Sequence, residues 1–295
     1  MRQVDYVDHE TKKAHKLIRL LPTPKGTVSY ISVATVERIR QLRAAGVFVV
    51  IVTAARLGTL VARSHGLPRA DMYIIESGGR IVTLDAPTPG GPTRMLTSLP
   101  LREDMGWRSR FLSHAGMCFE DETPPEERTG AVWDCYRDVV AQLPGAKIDH
   151  GYATCFRVKG EDADRVAAMV RGMSAGKSYA GKLQLFYNLG CLDVVPVGSG
   201  KKCSAEYVMR ELGAAPEDCT MCGDDENDLQ LCAVVGRAFC PTVTHPAVRE
   251  AARGRPGHFV LVQEQEDPEL NPNKRVAGTM ATDMMLKLLL QHFGI

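Results

Sequence analysis

The chain has 295 residues, 44% hydrophobic and 24% charged, with a formal net charge of +1. This balance is that of an ordinary globular protein, gives no reason to invoke disorder, and predicts no generic attraction to nucleic acid or to an anionic membrane. No apolar run approaches the roughly 18 to 20 residues of a membrane span, the longest lying at Val47-Phe48-Val49-Val50-Ile51-Val52.

The opening text MRQVDYVDHETKK has no apolar signal core and carries Asp5, Asp8 and Glu10, so a cytoplasmic address is expected. From Ser32, SVATVERIRQLRAAG places Val36, Ile39 and Leu42 on one helical face, with Ser32 set to cap the start and Gly46 to end it. VFVVIVT follows, a β-branched run without alternation, as for a parallel strand buried on both faces. A helix over about 56–64 and a strand over Met72–Ile75 continue an α/β grammar. Between about 81 and 190 the text changes. It carries DAPTPGGPT and DETPPEERTG, both tryptophans, a helix over Val132–Gln142, and two strand-like stretches at Tyr152–Val158 and Leu183–Tyr187 that read as a pair.

The α/β grammar then returns. Strands are expected at Leu192–Val195, Cys219–Cys222, Ala238–Cys240 and His258–Val262, with helices over about 204–212 and 226–235. TMATDMMLKLLLQHF reads as a Met-rich core helix, and QEQEDPELNPNK as a solvated loop. The nine cysteines form no framework, so reduced thiols are expected, and Cys219-x-x-Cys222 reads as strand packing rather than a zinc or redox pair. The expected architecture is α/β, a Rossmann-like core with a parallel sheet, built from residues 1–80 and 191–295. An α+β domain over 81–190 is inserted in it.

In open parallel sheets ligands gather beyond the carboxyl ends of strands. Three polar features follow apolar runs there: Thr53 after VFVVIV, Lys201 after LDVVPVGSG, and Asp224 to Asp228 after CTMC. A hydroxyl, an ammonium and a carboxylate cluster suit one ligand, a phosphate with a magnesium ion. Mg²⁺ takes oxygen donors and is held by one or two carboxylates plus phosphate, which Asp224, Asn227 and Asp228 could supply. Lys201 would neutralise phosphate oxygens, and Thr53 would donate a hydrogen bond to them. Asp225 and Glu226 read as solvated. Each feature alone has a plainer explanation, a strand-end threonine, a surface lysine, an acidic helix start; their order along the chain is what joins them.

That order and text, VVIVT, LDVVPVGSGKK and GDDENDLQL, resemble the second, third and fourth motifs of the haloacid dehalogenase (HAD) superfamily. The likeness is nearest to its Cof-like and sucrose-phosphate-phosphatase branch with a large α+β cap, and MYIIESGGRIV resembles that branch's ENGA-x-I segment leading to the cap. The resemblance implies Mg²⁺-dependent hydrolysis of a small phosphate monoester, a sugar phosphate or similar metabolite. It assigns Thr53 and Lys201 to phosphate binding and catalysis, and Asp224, Asn227 and Asp228 to the metal.

The family's first motif, D-x-D-G-T, supplies the aspartate that attacks phosphorus and a second that acts as acid and base. No D-x-D occurs before Ser32. One register puts Thr23 and Lys25 of TPKGT at those positions, another His15 and Leu17, and neither yields a carboxylate. In the second motif TAAR stands for T-G-R, leaving Arg56 one place late, and in the third Lys202 stands where glycine is usual. Two readings follow: a Mg²⁺-dependent phosphatase, or a pseudophosphatase that binds a phosphorylated metabolite or a protein partner as a regulatory or structural subunit. A chain whose start had been replaced would leave the same pattern. Trp107, Trp133, His150, Arg157 and Lys182 are the residues of the middle segment able to touch a substrate, each more simply read as packing or surface.

Overall fold

The computed structural model describes residues 3–7, 14–22, 26, 28–64, 66–84, 93–95, 101–117, 123–172, 176–188, 190–243, 245–262 and 279–295. In chain order the elements are β1 (Gln3–Val7), β2 (Ala14–Arg19), β3 (Tyr30–Ser32), α1 (Val33–Ala44), β4 (Val50–Val52), α2 (Leu57–Arg63) and β5 (Met72–Ile75). A single 3-10 turn, Glu76–Gly78, leads to β6 (Arg80–Leu84), β7 (Thr93–Met95), β8 (Leu101–Asp104), α3 (Met105–Ser109), α4 (Leu112–Ala115) and α5 (Ala131–Gln142). Then come β9 (Ile148–Asp149), β10 (Phe156–Lys159), α6 (Asp162–Gly172), β11 (Leu183–Asn188), β12 (Cys191–Pro196) and α7 (Lys201–Leu212). The last are β13 (Thr220–Cys222), α8 (Leu229–Cys232), β14 (Arg237–Cys240), α9 (Pro246–Gly254), β15 (Phe259–Leu261) and α10 (Thr279–His292).

The chain divides into two compact units, one of residues 1–50, 58–71 and 214–295, the other of 51–57 and 72–213. The first holds a parallel sheet in the order β13-β14-β15 and an antiparallel one in the order β1-β2-β3. Its core gathers Leu42, Phe239, Val262 and the α10 residues Met284, Met285, Leu286, Leu289 and Leu290, as the Met-rich helical spacing foretold. Ser32 caps α1 as expected, its hydroxyl oxygen accepting from Ala34 N at 3.0 Å. The same hydroxyl donates to Asp283 Oδ2 at 2.8 Å, and Thr35 Oγ1 to Asp283 Oδ1 at 2.8 Å, so a buried carboxylate ties α10 to the start of α1.

Arg43 of α1 holds Asp71, with Nε 3.1 Å from both carboxylate oxygens, and Val49 N donates to Asp71 Oδ2 at 2.9 Å. Burial opposes ionisation of Asp71, but the bonds from Arg43 and Val49 outweigh it and hold the carboxyl below its ordinary 3.8. A depressed folded pKa contributes stability that is present above the unfolded value and lost as pH falls through the folded one. Urea unfolding followed from about pH 6 down to about pH 3 should show Asp71→Asn flattening the acid slope by a fraction of a proton while lowering stability at neutral pH.

The second unit carries two sheets, in the orders β4-β5-β6-β8-β7 and β11-β12-β10-β9. Phe156, Val158, Leu192 and Val194 on one face of the latter pack against Trp133, Tyr136 and Val139 of α5 and Val166 and Val170 of α6. α5 and α6 carry their apolar residues at helical spacing for that reason.

Four expectations are corrected. The stretches at 152–158 and 183–187 are not partners of each other: β12 lies between β10 and β11, antiparallel to both. β12 is thus no strand of the parallel sheet; the short β11–β12 connection makes that pairing local, and its alternating Leu192 and Val194 are fully buried. β4 is half-buried rather than buried on both faces, being the edge strand of its sheet. The helix expected over 226–235 is a 3-10 turn, Glu226–Asp228, followed by the short α8. β1 and β2 form an antiparallel pair that their polar text did not announce.

Candidate functional site

Thr53 and Lys201 lie in the second unit; Asp224, Asn227 and Asp228 lie in the first. In the second unit the 3-10 turn Glu76–Gly78 bonds to the backbone of Thr53 and packs against Gly200, the residue before Lys201. On one side it grips the strand-end loop, Glu76 N donating to Ala55 O at 3.0 Å and Ser77 N to Thr53 O at 3.3 Å. Thr53 N in turn donates to Ile74 O at 2.8 Å, and Thr53 Oγ1 accepts from Ala55 N at 3.1 Å, which leaves the hydroxyl proton for a ligand oxygen.

On the other side the turn packs backbone to backbone on the start of α7. A Cβ added to Gly78 would lie 2.3 Å from the carbonyl carbon and oxygen of Gly200. Lys201, half-buried, opens α7 at that point, where the helix N-terminus favours an anion. The loop before it is held by Gln184, whose Nε2 donates to Pro196 O at 3.0 Å and Ser199 O at 2.9 Å.

The turn itself is over-determined. Glu76 and Ser77 have φ of 53° and 55°, a left-handed conformation uncommon for residues with a side chain. Glu76, wholly buried, accepts at Oε2 from Ala153 N (3.0 Å), Thr154 N (2.9 Å) and Thr154 Oγ1 (2.7 Å), and at Oε1 from Arg80 (3.3 Å). Arg80 also makes a two-pronged bond to Glu103, at 2.8 and 3.0 Å. Ser77 Oγ donates to Asp193 Oδ2 at 2.8 Å, and Arg157 donates to both oxygens of the same carboxylate. Trp107 Nε1 donates to Gly78 O at 3.0 Å. Sequence reasoning missed Glu76, Ser77 and Asp193 as positioning residues. A signal was there for the first two, which directly follow the buried strand β5 and so meet the strand-end criterion that marked Thr53 and Asp224.

In the first unit, Asp224, Asn227 and Asp228 are each half-buried at the end of β13. Asp228 Oδ2 accepts from Asp224 N at 3.3 Å, and a Cβ on Gly223 would fall 2.6 Å from that oxygen, so only glycine lets the corner close this tightly. Asp225 accepts from Glu226 N at 2.9 Å, and exposed Glu226 pairs with His245 at 3.6 Å. The donors are hard oxygens of the kind Mg²⁺ takes. Among the described residues no three His, Cys, Asp or Glu side chains converge to hold a metal ion; the corner matches magnesium in the kind of its donors alone.

Of the first-motif positions, Leu17 is a buried residue of β2 and His15 lies in the same strand, while Thr23 and Lys25 fall outside the described residues. Asp5 sits opposite Lys16 in the β1–β2 ladder, and Asp8 falls outside the described residues. The loop 263–274 also lies outside them. Arg56 is turned to Asp149, at 3.5 Å, and presses on Gly151. Trp107 and Trp133 are buried, Arg157 is paired with Asp193, His150 stacks edge-on to Tyr136, and Lys182 is exposed. Cys219 and Cys222 are not disulfide-bonded. Among the described residues no helix is long and apolar enough to cross a membrane.

Each unit mixes strands and helices, and the polar candidates stand at strand ends or at a helix start. Residues 131–241 match the family model of sucrose-6F-phosphate phosphohydrolase, a span that takes in Lys201 and the Asp224–Asp228 corner. The fold is similar to that of the sucrose-phosphatase of Synechocystis, solved with sucrose and phosphate, at a TM-score of 0.55 and 14% identity over 88% of this chain and 91% of that one. It is similar also to a protein of Thermoplasma acidophilum (0.55, 12%, 94% of each chain) and to a HAD subclass IIB sugar phosphatase (0.52, 12%, 93% and 95%). No curated protein matches the chain in sequence. The resemblance to the haloacid dehalogenase superfamily, in its Cof-like and sucrose-phosphate-phosphatase-like branch, is thereby borne out, with an α/β Rossmann-like core and a cap.

Proposed function

We propose that this chain is a pseudophosphatase of the sugar-phosphatase branch: it binds a small phosphorylated metabolite through Thr53 and Lys201, and turns it over slowly if at all. The observation that carries this reading is the text HKLIRLLPTPKGT, where the family places two aspartates and this chain places none. Without the nucleophile no aspartyl-phosphate forms, and losing such a group removes several powers of ten in rate. The same carboxylate is a metal ligand in the family, so magnesium, held by Asp224, Asn227 and Asp228, would bind more weakly here.

Thr53 and Lys201 need no nucleophile to hold a phosphate. A hydroxyl donor and an ammonium beside a helix N-terminus make charge-assisted bonds to the same oxygens in the resting complex as in any reacting one. The reading in which the chain remains a working phosphatase draws on the intact third and fourth motifs inside the matched span 131–241. Assay with p-nitrophenyl phosphate and a panel of sugar phosphates in Mg²⁺ decides between them. The expected result is no turnover above background while phosphate raises the melting temperature in the wild type and not in Lys201→Ala; turnover that Asp224→Ala abolishes would sink the pseudoenzyme reading.

A further inference from the structure

Resting on the phosphate-binding reading above, we propose that Ser77 is the positioning residue of the phosphate site. Its hydroxyl, bonded to Asp193 and through it to Arg157, locks the turn that sets the spacing between Thr53 and Lys201. Three observations converge on this one residue. Ser77 N donates to Thr53 O, so the residue is one bond from the first ligand group. Its neighbour Gly78 lies against Gly200, the residue before Lys201, closely enough that no side chain fits, so the residue is one contact from the second. The backbone of Ser77 is left-handed, at φ 55°, a strained conformation that persists only where its surroundings hold it. The Ser77 side chain is held by Asp193 of β12, whose carboxylate is fixed by both prongs of Arg157 from β10. The position of β10 and β12 is thereby transmitted to the distance between a hydroxyl and an ammonium that must grip one phosphate.

The choice of serine carries a further consequence. Asparagine is the residue with a side chain that best tolerates this backbone and also brings a donor, whereas alanine has neither property and glycine has only the first. The resemblance read from MYIIESGG has asparagine at this place. Ser77→Asn should therefore preserve the lock and Ser77→Gly should release it without strain.

The test is titration calorimetry with inorganic phosphate on the full chain, at a temperature where circular dichroism shows each variant folded. Ser77→Ala and Ser77→Gly are expected to weaken phosphate binding by about tenfold, and Ser77→Asn to recover most of that loss. Wild-type affinity in Ser77→Gly overturns the proposal, because a merely structural role would be satisfied by relief of the backbone. A melting-temperature change in Ser77→Ala without a change in phosphate affinity overturns it as well. Lys201→Ala separates this failure from failure of the functional reading. If phosphate binds equally well without Lys201, or does not bind the wild type, the site is elsewhere and both fall; if Lys201 matters and Ser77 does not, the positioning role alone falls.

Discussion

Glu76→Ala is expected to destabilise the protein by about 3 to 5 kcal/mol, the cost of removing one partner from a buried charge network. At this chain length that corresponds to a fall in melting temperature of about 5 to 8 °C. The size follows from what the carboxylate does. It accepts two backbone N–H groups and a hydroxyl from the 153–154 segment at 2.7 to 3.0 Å, all buried, and each would be left without this acceptor. It also balances Arg80, which with Arg108 would then share Glu103, every one of these side chains being no more than 1% exposed. Glu76→Gln keeps an acceptor for the backbone but not the charge, and its loss should be about half as large. Urea unfolding of the three proteins checks this, and a change under about 1 kcal/mol for the alanine variant would mean that the network relaxes or fills with water.

Gly78→Ala should cost about 3 kcal/mol or more and abolish detectable phosphate binding, because two penalties coincide there. The residue has φ +92°, where alanine is strained, and the new Cβ would meet Gly200 backbone at 2.3 Å, a separation that side-chain rotation cannot relieve. Gly213, at the C-terminus of α7, is the control. It has φ +65° but nothing within 4 Å of an added Cβ, so Gly213→Ala carries only the conformational penalty, about 1 kcal/mol. Equal losses at the two positions would show that the Gly78–Gly200 approach is not a tight contact.

The absence of the aspartate pair and the retention of the turn are separable facts with separate causes. Covalent catalysis depends on a nucleophile that the text before Ser32 does not supply. The turn after β5 is built from residues whose side chains bond to the protein itself, Glu76 to the 153–154 segment and Ser77 to Asp193.

Much of this was legible along the chain. Apolar spacing marked α1, α5 and α10, a β-branched run marked β4, and short apolar runs marked β5, β13 and β14, because burial of one face or two is a local pattern in the sequence. The order of Thr53, Lys201 and the Asp224–Asp228 corner was likewise visible, since each directly follows an apolar run. What the sequence could not determine is which segments face one another. β12 reads like any buried strand, and only the folded sheet decides that it runs antiparallel between β10 and β11. The bonds that set the candidate site join Glu76 to a backbone amide 77 residues away and Ser77 to a carboxylate 116 residues away. Polar side chains carry no periodicity that names their partners, so such bonds exist only once the tertiary structure has brought those groups together and removed the water that would otherwise satisfy them.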